Sequence, residues 1–206
     1  MSDQSTGAGR GRPGLAEQVL ACAETLPEGT PVAPKSLLHL ASRTAVSRAL
    51  SRLARHGRLL RISRGLYVRR LEGRFGSRPP TVERVVRALA ELRGEIVASH
   101  GAAAANALGL TTQAPIRVIY LTSGSSRTLT IGKQRVEIRR APAWQLLLAD
   151  RRAGEVIRAL AWLGPEKAAM ALEILSERLA PSVFAELVMA RSRLPAWLGR
   201  LVSPGP

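Results

Sequence analysis

Side chains that donate hydrogen bonds recur at helical spacing just after residue 42. Thr44, Arg48, Ser51 and Arg55 lie four, three and four residues apart, which places them on one face of a helix with 3.6 residues per turn. With two flanking members the set comprises Thr44, Ser47, Arg48, Ser51, Arg52 and Arg55. None is acidic, and arginine, serine and threonine are side chains that contact base edges and phosphates in a major groove. The pattern therefore predicts a helix face that contacts double-stranded DNA.

An apolar stripe on the opposite side of the same segment predicts how this face is held. It consists of Val46, Leu50 and Leu53. The stripe lies about 160° round the helix from the polar set, so one side is expected to be buried and the other exposed. Ser42 is the expected N-cap, and the helix should run from Arg43 to about His56 before Gly57 ends it.

Two helices are predicted upstream, and together with the third they form a helix-turn-helix. Apolar residues at helical spacing indicate a first helix that ends before Pro27. Pro34 begins a second helix whose apolar content is Leu37, Leu38 and Leu40. A short turn, Ala41 to Arg43, joins it to the polar helix, and Arg43 belongs to the predicted DNA contacts.

A basic hairpin is predicted next, which makes the arrangement a winged helix-turn-helix. The strands are residues 58–63 and 66–69, and Arg64-Gly65 forms the turn. Four of its arginines are expected to lie along a phosphate strand or to reach the minor groove: Arg61, Arg64, Arg69 and Arg70.

The net charge agrees with a polyanionic partner. The chain carries 31 Lys+Arg against 15 Asp+Glu, a net charge of +16. Residues 43–78 hold eleven arginines and a single acid, Glu72. A GC-rich genome would explain arginine in place of lysine, but it would not explain the excess of basic over acidic residues. Nucleic acid is therefore the first partner that the charge indicates.

The chain divides by composition into a flexible basic tail (1–13), a winged helix-turn-helix DNA-binding domain (14–77) and an α+β interaction domain (78–206). Residues 73–80 are rich in Gly, Arg and Pro and are interpreted as the linker. In the last domain a small antiparallel sheet is expected from strands at 117–122, 127–131 and 135–140. C-terminal helices follow from Trp144. The fold class is therefore α+β.

Several classes of protein are excluded by what the sequence lacks. Cys22 is the one cysteine, and there are three histidines and two aspartates, so we expect no metal site, no cofactor and no catalytic residues. A hydrophobic content of 46% argues against disorder. Neither a membrane-spanning run nor an apolar signal segment is evident, so we expect no membrane partner and a cytoplasmic location.

Two segments carry a resemblance to a known family: His100 to Pro115 (HGAAAANALGLTTQAP) and Val118 to Arg127 (VIYLTSGSSR), followed by Arg139. With the hairpin sequence Gly65-Leu66-Tyr67, they resemble the abortive-infection E-type antitoxin family of type IV toxin–antitoxin systems, over about residues 15–165. The resemblance implies an N-terminal winged helix, binding to repeats in the protein's own promoter with self-association on the DNA, and neutralisation of a nucleotidyltransferase-like toxin, directly or only functionally.

Three hypotheses from different classes follow. The first is a transcriptional autorepressor that is also an antitoxin in phage defence. The second is a stand-alone DNA-binding regulator whose second domain senses a ligand or docks onto another protein. The third, a nucleic-acid-modifying enzyme, is disfavoured because clusters of carboxylates and metal ligands are missing from the sequence.

Overall fold

The computed structural model describes residues 13–74, 76–113 and 115–203. Helices and small sheets alternate along it, so the α+β class is confirmed. Two compact units are present, one running to Thr81 and the other beginning at Val82. Within the described residues, none of the helices is both long enough and apolar enough to cross a membrane.

The first unit begins with α1 (Leu15–Glu24) and a short 3-10 helix, Pro34–Leu37. The helix predicted to begin at Pro34 is present, but it is a 3-10 helix of four residues. Hydrogen bonds there join residues three apart, as from Leu40 N–H to the Leu37 carbonyl (3.1 Å). The physical reason is that Leu37 is buried while Leu38 is 48% exposed, so little apolar surface is available to stabilise a longer helix.

Helix α2 (Arg43–Arg55) forms as the sequence predicts. The Ser42 hydroxyl accepts a hydrogen bond from the Ala45 N–H (3.4 Å), and Gly57 adopts a φ of +72° beyond the last turn. The buried side of α2 packs against α1 and Leu37, and consists of Val46, Ala49, Leu50 and Leu53.

Two antiparallel hairpins follow α2. The first pairs β1 (Leu59–Ser63) with β2 (Leu66–Arg69) around Gly65, whose φ is +72°. The second pairs β3 (Leu71–Gly73) with β4 (Gly76–Arg78). Much of the predicted linker is therefore part of a hairpin.

Arg70 stabilises the second hairpin through two hydrogen bonds. Its Nε donates to the Ser77 hydroxyl and its Nη2 to the Ser77 carbonyl, both at 2.9 Å. These bonds tie the chain before β3 to β4, a contact between residues seven apart that composition does not reveal.

The sheet of the second unit is mixed, so the predicted antiparallel sheet is wrong. Between α3 (Val82–Arg93) and α4 (Gly101–Ala107) lies β5 (Val97–Ser99), and β6 (Val118–Thr122), β7 (Arg127–Ile131) and β8 (Gln134–Arg140) follow. The strand order is β5-β6-β8-β7, with β6 parallel to β8 and the other pairs antiparallel.

The loop between β6 and β7 explains this order. The Ser126 hydroxyl accepts a hydrogen bond from the Arg140 N–H (2.9 Å), and the Thr122 carbonyl accepts one from the Ala141 N–H (3.0 Å). The loop therefore passes the C-terminal end of β8, and β7 lies on the far side of β8 instead of beside β6.

The carboxylate of Glu95 holds the same end of the sheet. It accepts hydrogen bonds from the Thr122 hydroxyl (3.1 Å) and from Nη1 of Arg127 (3.1 Å). A Cβ at Gly124 would lie 2.2 Å from the Glu95 Cδ, so a larger residue there would displace this carboxylate. Burial acts to raise the pKa of Glu95, but hydrogen bonds and charge from Arg127 outweigh it and leave the pKa below its ordinary value.

The C-terminal part of this unit is helical, as predicted. It contains α5 (Arg152–Leu163), α6 (Pro165–Ser176), α7 (Pro181–Ala190) and α8 (Ala196–Leu201). Helix α5 is central and buried along most of its length. It approaches α4 so closely that a Cβ on Gly101 would lie 2.4 Å from the Arg158 carbonyl oxygen.

We predict that Glu95→Gln destabilises the second unit at neutral pH and much less in acid. Because the folded-state pKa of Glu95 is depressed, its contribution is present above the unfolded pKa and is lost as the pH falls through the folded value. We expect a loss of about 1–3 kcal/mol at pH 7, the range for hydrogen bonds to charged groups. The measurement is urea unfolding at pH 7 and pH 3, followed by fluorescence of the tryptophans at 144, 162 and 197.

Glu91→Gln is the matched control, since Glu91 is exposed on α3. It should leave the unfolding free energy nearly unchanged at both pH values. An equal loss for Glu95→Gln at pH 7 and pH 3 would contradict the role assigned to its charge.

Candidate nucleic-acid interface

The outward face of α2 presents most of the predicted polar set together. Ser47 is half-buried and the other members are exposed, namely Arg43, Thr44, Arg48, Ser51, Arg52 and Arg55. The members from Thr44 onward face away from the buried Val46 and Leu50. Arg43 lies seven residues before Leu50, so it is exposed in the first turn but is not part of this face. The face therefore offers guanidinium and hydroxyl donors to a partner.

The four hairpin arginines are not equivalent. Arg61 is exposed on β1 and Arg64 is exposed in the turn. Arg69 is half-buried, and its Nε is buried without a hydrogen-bond partner among the described residues. Arg70 is bonded to Ser77. Arg61 and Arg64 are thus the two that the hairpin presents to solvent.

Tyr67 connects α2 to the hairpin. Its ring is buried, 4% exposed, and its hydroxyl lies 3.1 Å from the Ser51 hydroxyl. Its backbone also pairs with Val32, with hydrogen bonds of 2.7 and 3.0 Å. The hairpin is therefore held at a fixed position relative to α2. Ser51 has a hydrogen-bonding role within the unit besides any contact with a partner.

Most of the positive charge in this unit is uncompensated. Among the described residues, only two of the eleven arginines between 43 and 78 lie within ion-pair distance of a carboxylate. Arg58 lies 3.9 Å from Glu24, and Arg78 lies 3.8 Å from Glu28. Both guanidinium groups are exposed and nearly 4 Å from the carboxylate, so water and salt screen these pairs and they neutralise little of the charge. The surface of α2 and the first hairpin therefore keeps a positive potential.

The second hairpin adds basic residues that the sequence analysis left out of the site. Arg74 and Arg78 are exposed there, close in sequence to the first hairpin. The sequence feature that could have predicted this hairpin is the pair Gly73 and Gly76, which face each other across the two strands. The hairpin was missed because a segment rich in glycine is also typical of a linker.

The part of the chain that the structure describes contains no cluster of three or more His, Cys, Asp or Glu side chains placed to hold a metal ion. His100 caps α4, its Nδ1 accepting from the Ala102 N–H (3.2 Å). Burial lowers the pKa of His100, and the charge of Arg139 lowers it further, which favours the neutral ring that this cap requires.

The chain belongs to the family of unknown function DUF6088, which it matches over residues 18–177. The match begins inside α1 and ends just after α6, so it includes α2 and both hairpins as well as the mixed sheet. No curated protein and no solved structure matches the chain.

We predict that Tyr67→Phe and Ser51→Ala act on one shared interaction. Each should lower the free energy of unfolding by about 0.5–1.5 kcal/mol, the net value of one hydrogen bond. The double variant should lose less than the sum, because the second substitution finds the bond already broken. Hydrogen exchange of the α2 and β2 amides measures these losses.

Ser47→Ala is the matched control, because it removes a hydroxyl from the same helix at a position without a described hydrogen-bond partner. Its effect on the free energy of unfolding should add to that of Tyr67→Phe. Full additivity between Ser51→Ala and Tyr67→Phe would show that the 3.1 Å contact contributes nothing.

Proposed function

We propose that the first unit is a winged helix-turn-helix domain that binds double-stranded DNA. The observation that carries this proposal is the exposed face of α2, where arginines unpaired with any described carboxylate alternate with hydroxyl side chains. A row of uncompensated cations repels itself, so it favours a polyanion that neutralises it. Helix α2 is thirteen residues long and supplies the donors that major-groove base edges accept.

The neighbouring elements support the same role. The 3-10 helix takes the place of the first helix of a helix-turn-helix, and its Leu37 packs into the core beneath α2. The β1–β2 hairpin stands where a wing would be. Arg61 and Arg64 on it are exposed, which suits contacts with phosphates. The Tyr67–Ser51 bond would keep the wing and the recognition helix in register on one duplex.

We further propose that the chain is an autorepressor and antitoxin of a type IV toxin–antitoxin system. The support is the resemblance of residues 100–127 and Arg139 to the abortive-infection E-type antitoxins. In the structure Asn106 donates to the Thr111 and Gln113 carbonyls, and Thr122 and Arg127 bind Glu95. These motif residues therefore stabilise the second unit, which would be the part that acts against a toxin. A stand-alone regulator is the alternative.

We predict that the protein binds duplex DNA with a steep dependence on salt. Six phosphate contacts would give a log–log slope of about −5 between roughly 50 and 200 mM salt. Arg48→Ala should weaken the binding free energy for the promoter by about 1–3 kcal/mol and relax sequence preference, because a bidentate contact to a base is removed. Arg64→Ala should weaken all duplexes alike and reduce the slope by about one. Fluorescence anisotropy with the promoter and a scrambled duplex measures both effects.

Arg200→Ala is the control for net charge, because Arg200 is an exposed arginine of the second unit. It should change neither affinity nor slope appreciably. A flat salt response would contradict duplex binding. A change of sequence preference in Arg64→Ala alone would contradict the choice of α2 as the recognition helix.

The antitoxin role predicts a division of labour between the two units. Residues 1–81 should bind the promoter, more weakly than the full chain because cooperative pairing on repeats is lost, and should not protect cells. Residues 82–206 should protect without repressing. The measurement is growth during expression of the toxin encoded next to this gene, beside a promoter-binding titration. Rescue by residues 1–81 alone would contradict this division, and promoter binding without rescue by the full chain would favour the stand-alone regulator.

A further inference from the structure

A cavity of about 280 Å³ lies inside the second unit, between α3, the paired strands β5 and β6, and the start of α5. The residues that line it include Ser99, Tyr120 and Arg158. Burial raises the pKa of Tyr120, so its hydroxyl keeps the proton and can donate it in a hydrogen bond. The volume is just below the range of pockets that hold drug-sized ligands, which indicates a smaller molecule.

Arg158 is a buried cation with unmet hydrogen-bonding capacity. It is 2% exposed, and its Nη2 donates to the Ala149 carbonyl (3.2 Å). Its Nε and Nη1 are buried with no partner among the described residues. Buried guanidinium groups are ordinarily paired and fully hydrogen-bonded, because an unpaired buried charge is costly. Ala149 also lines the cavity, so the guanidinium end of Arg158 borders it.

The three carboxylates of the wall contact two other arginines and do not contact Arg158. Arg87 lies 3.1 Å from Glu83 and 3.7 Å from Asp150. Glu155 accepts a hydrogen bond from Arg152 Nη1 (2.6 Å). Burial lowers the pKa of Arg158, with Glu155 and Asp150 opposing the shift. One buried positive charge is therefore left without a contacting anion.

The backbone beside the cavity is held in an unusual conformation. Leu148 has a φ of +52°, in the left-handed region that a leucine rarely occupies. A Cβ on Gly154 would lie 2.0 Å from the Leu148 carbonyl oxygen, so only glycine lets this bend pack on α5. The bend directs the Ala149 carbonyl to Arg158, and backbone strain of this kind is frequent where ligands are clamped.

We propose that this cavity binds a small organic carboxylate, with Arg158 as its cationic partner and the Ser99 and Tyr120 hydroxyls as further donors. A carboxylate would supply the contacting anion that the buried guanidinium of Arg158 lacks. A dianion such as phosphate would place a surplus negative charge among Glu83, Asp150 and Glu155, which also belong to the wall. The inference concerns a ligand of the second unit and does not depend on DNA binding.

The test is isothermal titration of the full-length protein with a series of carboxylates from acetate to benzoate, with inorganic phosphate for comparison. At least one carboxylate should bind, and Arg158→Met should weaken it tenfold or more, because the ligand loses a charged partner. Tyr120→Phe should reduce the affinity for the same carboxylate about two- to tenfold, because one neutral hydrogen bond is lost. This variant keeps the test informative if Arg158→Met does not fold.

Arg178→Gln is the matched control, since Arg178 is an exposed arginine of the same unit that does not line the cavity. It should bind the carboxylate as the parent protein does. The proposal is overturned if no carboxylate in the series binds, if phosphate binds in preference, or if both cavity variants retain the parent affinity.

Discussion

Burial of the apolar stripe on α2 is the constraint on which the basic surface depends. Val46, Leu50 and Leu53 pack together with α1, and this packing leaves one rotational setting for the helix. Arg48, Arg52 and Arg55 are then directed away from this core, where they lack a described carboxylate. The same core seats Tyr67, whose hydroxyl reaches Ser51 and whose backbone pairs with Val32. A helix and a hairpin that are charged on their outer sides are thus fixed together by an interior that carries no charge.

Charged side chains are arranged differently in the second unit. Several of its acids contact nearby arginines, as Glu95 contacts Arg127 at the end of the sheet. Helix α5 is apolar along most of its buried length, and Arg158 is the exception within it. Most arginines of α2 and the first hairpin are exposed, whereas the arginine of α5 is buried beside a cavity of about 280 Å³. These are separate physical situations, and they support separate proposals.

DNA binding by the first unit and carboxylate binding by the second, taken together, would favour one class of regulator. A domain that binds DNA and a second domain that holds a small carboxylate would together form a ligand-responsive regulator. An antitoxin needs a surface against its toxin or the toxin's target, and no small ligand is required for that. The stabilising roles of Asn106, Thr122 and Arg127 show that the motif resembling the antitoxins is part of the fold's framework.

The sequence by itself determined the elements whose signals are local. Helix α2, its cap at Ser42, its end at Gly57 and the turn at Gly65 were predictable because side-chain periodicity and backbone preferences act over a few residues. Tertiary structure decided the rest. The segment at Pro34 became a 3-10 helix because Leu38 finds no core, and residues 71–78 became a hairpin because Arg70 reaches Ser77. The place of β7 depends on Ser126 bonding to Arg140, and the solitary charge of Arg158 depends on which neighbours pair with one another. Such contacts join residues distant in sequence, and periodicity along the chain does not encode them.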